Sequence, residues 1–529
     1  MTGQPLVESL AGAVTLSELD ESARYERFDR LQTRMGRVWD SMKLNLSGES
    51  VVVIPSVTLD RAVVNPGSLN QAYEERYLFL LLLLRQPRLR MIYVTSMPVA
   101  PSIVEYYLAL LAGVIPSHAR SRLSLVSVGD SSPDSLSEKL LARPKLLASI
   151  GRLIPDKTLS HLVPYNTTEL ERDVALALGI PMYGADPRLE ELGSKTGCRR
   201  LFAEAGVRHP LGAEDLHSMD EVVAAVAEMR RERPQLSQVI VKLNEGVSGA
   251  GNALVDLTGI PGAGAPDEVD AIKARVAALQ LEAPDVPLAA YLDKFSEAGG
   301  IVEERIVGVE VRSPSVQLRV TPHGAVELLS THDQLLGGAS GQSYLGCCFP
   351  ADFAYARTIM GQARVIGDRL AKEGALGRFA VDFVVVKGSD GSWTPYAIEL
   401  NLRKGGTTHP FLTLQFLTAG HYDAETGLFV TPLGREKHLV ATDHLESPYL
   451  KGLTVDDLFD IVARHGLHFE PGRQSGIVFH MISCLTEHGR VGLTAVGDTP
   501  AEADATYKRA QRILLDEAEA ALREAPLPV

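Results

Sequence analysis

Cysteine is scarce in this chain. Its 529 residues include four, at Cys198, Cys347, Cys348 and Cys484. None falls in a paired metal-binding spacing, and so small a number excludes a disulfide-stapled scaffold. Aromatic residues are also few, at 6%, and positive charge is in deficit: 52 Lys and Arg against 66 Asp and Glu give a net charge of −14. Gripping a nucleic acid needs clustered cations to neutralise phosphates, so that partner is excluded. Long apolar runs are missing too. Leu78 to Leu84 is entirely apolar, but seven residues cannot span a bilayer, and the run reads as the buried end of a helix. The start of the chain has no basic stretch leading into an apolar one. A cytoplasmic location with no membrane partner is therefore expected. Two nucleotide motifs are absent as well. No Gly-x-Gly-x-x-Gly follows the first strand, and Gly193-Ser194-Lys195-Thr196 lacks the spacing of a Walker loop.

What is present begins with length, which implies two to four domains. Up to about residue 190, short β-branched runs alternate with helical stretches. The runs are Val51–Ile54, Met91–Val94, Leu123–Val128 and His161–Tyr165; a helical pattern lies at about Leu69 to Arg85, and a capped helix opens at Thr167-Thr168 and closes at Gly179. Such alternation means a parallel α/β sheet. From Lys195 the pattern turns to helix and mixed strands. The Gly-, Ala-, Pro- and acid-rich stretch Gly259–Pro287 reads as an insertion or mobile lid. The last part holds a helix over Val455–His465, strands at Ile477–Ile482 and Val491–Val496, and a long helix over Pro500–Arg523.

The most informative segment is a pair of apolar strands that each carry an acid, Val381-Asp382-Phe383-Val384-Val385-Val386 and Ala397-Ile398-Glu399-Leu400-Asn401. Alternate residues of a strand share a face, so Glu399 and Asn401 project together, and Asp382 joins them if a turn at Gly388–Gly391 pairs the strands. An unpaired carboxylate inside buried strand is too costly to be incidental. Three converging oxygen ligands suit Mg²⁺.

Upstream, the strand Val239-Ile240-Val241-Lys242 runs into Asn244-Glu245-Gly246-Val247-Ser248-Gly249-Ala250-Gly251-Asn252. A lysine followed by small residues suits phosphate, because backbone N–H groups can approach an anion closely; an ordinary hairpin is the bland alternative. Lys195 opens another helix, where a cation is mildly unfavourable. Farther on, Ile301-Val302-Glu303-Glu304-Arg305-Ile306-Val307-Gly308-Val309-Glu310 ends a strand in paired acids before a glycine turn. That pattern resembles a hinge whose backbone reads an adenine edge, with Glu310 placed to accept from ribose hydroxyls.

In this order the parts resemble the ATP-grasp superfamily over about residues 190–420. The resemblance implies an α/β (in part α+β) ATP-grasp fold: a pre-ATP-grasp α/β domain over 1–190, a nucleotide-binding and catalytic domain over 191–430 with a lid at about 195–300, and a small α+β domain over 431–529. By similarity to D-alanine–D-alanine ligases, Lys195, Lys242, Ser248 and Gly249 hold ATP phosphates, Glu303 meets the adenine amino group, Glu304 and Ile306 give backbone hydrogen bonds, and Glu310 binds ribose. Asp382, Glu399 and Asn401 then hold Mg²⁺, as one or two ions, with Mn²⁺ able to substitute. Val316–Val320, Thr331–Gly338 and Asn401–Pro410, with the C-terminal strands and helix, look like the pheganomycin-type peptide ligases. Their activity is ATP-dependent joining of an amino-acid or peptide carboxylate to an amine, in peptide natural-product biosynthesis, with small-molecule partners and a homodimer allowed. Two departures stand out. Arg403-Lys404 replaces the small residues of D-alanine ligases after Asn401, and Ala380 stands where they keep an arginine. The transition-state cation is therefore expected from Arg319 or Arg403. Two other roles remain open: a nucleotide-binding regulatory protein, and a phosphotransferase working through His409. Cys347-Cys348 reads as buried packing.

Overall fold

The computed structural model describes residues 16–44, 48–58, 69–246, 249, 251–283, 286–338 and 341–524. The expected parallel sheet is there, with strands in the order Leu123–Ser127, Arg90–Thr95, Ser50–Ile54 and Ser160–Pro164. All its pairings are parallel. The helix Glu169–Leu178 begins at a capping box of Thr168 and Glu171 and ends on Gly179, whose φ of 68° is the left-handed conformation a helix terminator adopts. The helical pattern at residues 69–85 splits in two: an α-helix Asn70–Glu75 gives way to a 3-10 helix Arg76–Arg85. Leu78, Leu81 and Leu84 of that apolar run are fully buried. None of the described helices is long and apolar enough to cross a membrane.

A second, antiparallel sheet orders its strands Gly212–Leu216, Gly300–Glu304, Gln238–Leu243, Asn252–Asp256 and Gln280–Leu281. The stretch Gly259–Pro287, expected as an insertion, belongs to its core: it carries the helix Glu268–Ala277, whose Ile272 and Val276 pack beneath the sheet. Glu268 forms a buried ion pair with Arg230 at 2.7 Å. The Gly, Pro and Ala content hid an apolar i, i+4 pair that is enough to anchor one helix face.

The third sheet has nine strands. At one end the hairpin of Gly377–Lys387 and Trp393–Asn401 pairs with Pro314–Val320; in the middle Ser343–Phe349 pairs with His438–Glu446, and beyond it Arg490–Gly497 and Gly476–His480 form the other end. The C-terminal strands thus extend the sheet that carries the acids. The C-terminal part also packs on the N-terminal one: Tyr106 Oη accepts from Phe479 N–H and Tyr107 Oη donates to the Phe479 carbonyl. The long helix Pro500–Glu524 covers this end.

Candidate active site

The acid-bearing hairpin forms as its alternation implies. Asp382 lies opposite Glu399 and Ala380 opposite Asn401, with a bulge just beyond Asp382. Asn401 donates to Asp382 at 3.0 Å, and Gln334 donates to its other oxygen at 2.8 Å. Burial, then the neighbouring Glu399 charge, push the Asp382 carboxyl up to about 6. Burial works the same way on Glu399, but the Lys195 ammonium outweighs it and holds that carboxyl below its usual range. Lys195 Nζ meets Glu399 at 2.5 Å. Two adjacent carboxylates, one already reluctant to ionise, form an oxygen-only set that a hard cation would relieve. The residues therefore fit Mg²⁺.

The lysine reaches this place because its helix, Lys195–Glu204, is tied to the glycine loop. Asn244 accepts Lys195 N–H through its carbonyl at 3.2 Å and Thr196 N–H through its side chain at 3.0 Å. Gly197 lets the helix start close on the preceding turn, since a Cβ there would lie 1.9 Å from the Glu191 carbonyl oxygen. Lys242 projects from its strand into the same cavity and pairs with Glu303, which also takes Arg199 at 3.2 Å. Gly249 approaches the opposite loop so closely that a Cβ would sit 2.9 Å from the Gln342 carbonyl oxygen. Ser248 lies outside the described residues.

One cavity of about 350 Å³ collects most of these groups: Lys242, Gly249, Glu303, Glu304, Ile306, Asp382, Glu399, Asn401 and Arg403 all line it. Lys195 sits just behind Glu399. Three expectations need correction and one is narrowed. The Glu303 carboxylate is occupied by Lys242 and Arg199, so it orients the lysine and is not free to meet a base. Glu304 donates its N–H to the Leu211 carbonyl, which limits the expected backbone contact to its carbonyl oxygen. Glu310 does not line the cavity. It pairs with Lys387 at 2.9 Å and Arg312 at 3.0 Å, because residues alternate faces and the next one, Val311, is the one turned inward. Arg319 is also elsewhere, paired with Glu327 at 2.5 Å and stacked over Trp39. It shares a strand with Ser315, which faces Asp382, but four residues along that strand is about 13 Å.

Arg403 does reach the cavity, donating to Tyr165 at 3.3 Å, while adjacent Lys404 turns away to the Pro164 carbonyl. Burial, then Arg378, push the Lys404 amine down to about 7. Beyond Arg403 the wall continues with Arg76, Tyr73, Tyr165, Asp443, His444 and Arg490, which sequence reasoning missed. Arg76 pairs with Asp443 at 2.8 Å across 367 residues, a separation no local pattern could signal. Gln334 lies in the Thr331–Gly338 segment, where no local pattern marks it as a partner of Asp382. His409 is buried against Asp443 and His480, away from the cavity lining. Of the Cys347-Cys348 pair, Cys347 is buried as expected but Cys348 is half-buried, and burial drives both thiols above the ordinary range.

Comparison with known proteins agrees with this geometry. A family model described as IQCH-like, ATP-grasp matches residues 187–273 and 286–425, and one described as PGM1 C-terminal domain matches 457–510. An L-propargylglycine–L-glutamate ligase of Streptantibioticus cattleyicolor is 28% identical over 453 residues, covering 83% of this chain and 89% of that protein. IQ motif-containing protein H of Danio rerio is 24% identical over 392 residues, 66% of this chain but 37% of that longer protein. Among solved structures, the ADP complex of PurK, an N5-carboxyaminoimidazole ribonucleotide synthetase, aligns over 90% of this chain and 98% of its own, with a TM-score of 0.51 at 12% identity. A biotin carboxylase ATP complex from Campylobacter jejuni aligns over 89% and 95%, with a TM-score of 0.50 at 13% identity. Those two likenesses speak for the fold alone. The ATP-grasp match thus spans residues 187–425, and the fold of the chain is an ATP-grasp fold.

Proposed function

We propose that this protein is an ATP-dependent carboxylate–amine ligase that joins two amino-acid-like substrates through an acyl phosphate. One observation carries the reading. A single cavity holds an oxygen-ligand cluster with Lys242 at one end, backed by the Lys195–Glu399 ion pair, and a wall with Arg76, Arg403 and Arg490 at the other. Triphosphate suits the first end, and a substrate carboxylate the second. The relative named for L-propargylglycine and L-glutamate supports this substrate class.

Asp382, Glu399 and Asn401 would hold Mg²⁺, whose contribution when bound is to neutralise charge on the phosphates. Lys195 and Lys242 fix the phosphate chain, each already oriented by a carboxylate. Arg403 faces the region where a carboxylate oxygen attacks the γ-phosphorus and the bond to the β-phosphate oxygen breaks, releasing ADP. The amine nitrogen then attacks the acyl carbon, the carbon–oxygen bond to phosphate breaks, and the nitrogen's proton leaves with the phosphate. Such transfers rest on positioning and charge neutralisation, which is what these residues supply.

The test incubates purified protein with ATP, Mg²⁺ and pooled amino acids and short peptides. Support is ADP release that requires both a carboxylate and an amine, with a product by mass spectrometry equal to both substrates less one water. ADP release with a phosphate left on His409 would point to phosphotransfer instead. Nucleotide binding without turnover under any pairing would favour a regulatory protein, a reading that the match to IQ motif-containing protein H keeps in view.

A further inference from the structure

A second cluster lies beyond the arginine wall, built from three elements of the C-terminal half. His409 stands on the helix Thr408–Thr418, Asp443 in the strand His438–Glu446, and His480 at the end of the strand Gly476–His480. All three side chains are buried. Their ligand atoms converge: His480 Nε2 is 2.6 Å from Asp443 Oδ1, His409 Nε2 is 3.2 Å from that same oxygen, and the two ring nitrogens are 3.0 Å apart.

Hydrogen bonding alone cannot satisfy this triangle. If both Nε2 atoms carry protons, both donate to Asp443 Oδ1 and the nitrogen–nitrogen edge sets two donors against each other. If either ring is protonated on Nδ1 instead, its bare Nε2 faces the carboxylate oxygen lone pair to lone pair. With Asp443 ionised against Arg76, every placement of the ring protons leaves one like-to-like contact in a buried place where it is costly. A cation among the three atoms removes the conflict, because all three then act as lone-pair donors. Ligands at ~2.0–2.1 Å in a tetrahedral zinc site stand ~3.3 Å apart; the two edges at His409, 3.0 and 3.2 Å, come near that, and the 2.6 Å edge between His480 and Asp443 would widen on binding.

The surroundings agree. Arg76 engages Asp443 through Oδ2, which leaves Oδ1 directed at the two rings, the kind of outer support that orients metal-bound carboxylates. Gly492 lies opposite His480 across the strand pair, and a Cβ there would fall 2.1 Å from His480 Nε2, so the ring takes space that only glycine leaves open.

We infer that His409, Asp443 and His480 form a binding site for a zinc-class divalent transition metal, separate from the Asp382–Glu399–Asn401 cluster. Two imidazoles and one carboxylate select a borderline metal over Mg²⁺. Asp443, Thr407 and Arg76 also line the substrate cavity, so a fourth position opens towards it and takes water or a substrate nitrogen or oxygen.

The experiment titrates the EDTA-stripped, dialysed full chain with Co²⁺ while Mg²⁺ and ADP saturate the other cluster. The expected result is one Co²⁺ per chain with the visible absorption of low-coordinate cobalt, abolished when Zn²⁺ displaces it. The band should vanish in His409→Gln and His480→Gln and persist in Glu399→Gln/Asn401→Ala. X-ray absorption at the zinc edge of wild-type protein needs no variant to fold, and it should count two imidazoles. Failure of wild type to bind either metal at stoichiometric concentration, an all-oxygen zinc shell, or a band that follows Glu399 and survives His480→Gln would each overturn the site. Each of these readings is independent of whether the protein makes an amide.

Discussion

The two ends of the cavity pair the same kinds of groups, acids with cations, but they are assembled by different routes. At the triphosphate end, Asp382, Glu399 and Asn401 come from one hairpin, and Lys195 is brought in by a helix tied to the neighbouring loop. At the far end, Arg76, Asp443 and Arg490 come from three distant stretches, and nothing holds them together until the C-terminal strands join the large sheet and pack on the N-terminal domain. A local cluster can be lost with little cost to the fold. A cluster assembled across domains is part of what holds the domains together.

The largest expected effect tests the first half of that contrast. Glu399→Gln with Asn401→Ala should lower ADP formation by roughly 10³-fold or more, since both cation ligands on one strand face are lost, while thermal unfolding stays close to wild type. Near-normal turnover at moderate Mg²⁺ would remove the metal assignment. At the other end, Arg76→Met breaks an ion pair whose side chains are 8% and 5% exposed. Removing one partner of a buried pair typically costs ~3–5 kcal/mol, so urea unfolding should show a large loss of stability. If that variant unfolds like wild type, the far end is not structural and the contrast fails.

Arg403→Ala comes next. Its guanidinium lines the cavity, two residues past Asn401, and an arginine there can hold two phosphoryl oxygens at once. Loss of one such donor costs ~10²–10³ in rate, and we expect it in kcat, with KM for ATP little changed. A steep rise in KM for the carboxylate substrate with kcat preserved would instead make Arg403 part of the substrate-binding wall.

Acid should act on the two ends with opposite sign. In metal-free protein, burial pushes the His409 imidazole down to about 3. Unfolded histidine takes up its proton near pH 6.5, so this group makes the fold less stable as pH falls from there towards 3. Asp382, raised to about 6 by burial and Glu399, binds its proton in the folded state first. It makes the fold more stable as pH falls from 6 to its unfolded value near 4. Each contributes a slope of at most about 1.4 kcal/mol per pH unit. Denaturant unfolding in EDTA between pH 6 and 4 should therefore lose stability faster in Asp382→Asn than in wild type, and more slowly in His409→Gln. Parallel curves for all three would show that neither group is perturbed as its surroundings imply.

How much of this could be read from the sequence follows from the same contrast. The hairpin, the parallel sheet and the capped helix ending at Gly179 were legible because alternation and capping are local properties. Lys195 and Lys242 were legible because each sits beside a local signal, a helix start and a small-residue loop. Arg76, Tyr165, Asp443 and Arg490 were not, because their meeting depends on how three sheets stack. Arg319 failed for a subtler reason. Its strand was read correctly, but its distance along that strand from Asp382 depends on register, which side-chain pattern alone leaves open. The helix Glu268–Ala277 was hidden by composition, since two buried apolar residues suffice to dock a helix whose other positions are small or charged.

The smallest expected effect lies on the rim, and it decides what a motif position is worth when the structure turns it away. Glu310 occupies the place that in ATP-grasp relatives suggests a ribose contact, yet here its carboxylate is held by Lys387 and Arg312 outside the cavity lining. Those cations, with little burial to oppose them, keep the carboxyl below its ordinary range, so it is fully ionised and committed at neutral pH. Exposed pairs of this kind are screened by water and salt and contribute little. Glu310→Ala should therefore change KM for ATP by no more than about twofold and leave kcat as it was, whereas a ribose ligand would betray itself by a KM rise for ATP that is absent with a 2′,3′-dideoxy analogue. A rise of tenfold or more (about 1.4 kcal/mol), confined to ribonucleotides, would show that the segment after Glu304 rotates when nucleotide enters, exchanging Lys387 and Arg312 for sugar hydroxyls. In that case the triphosphate end would owe its finished form to its ligand, and the difference between an end made locally and an end made by domain packing would have to be drawn again for the bound state.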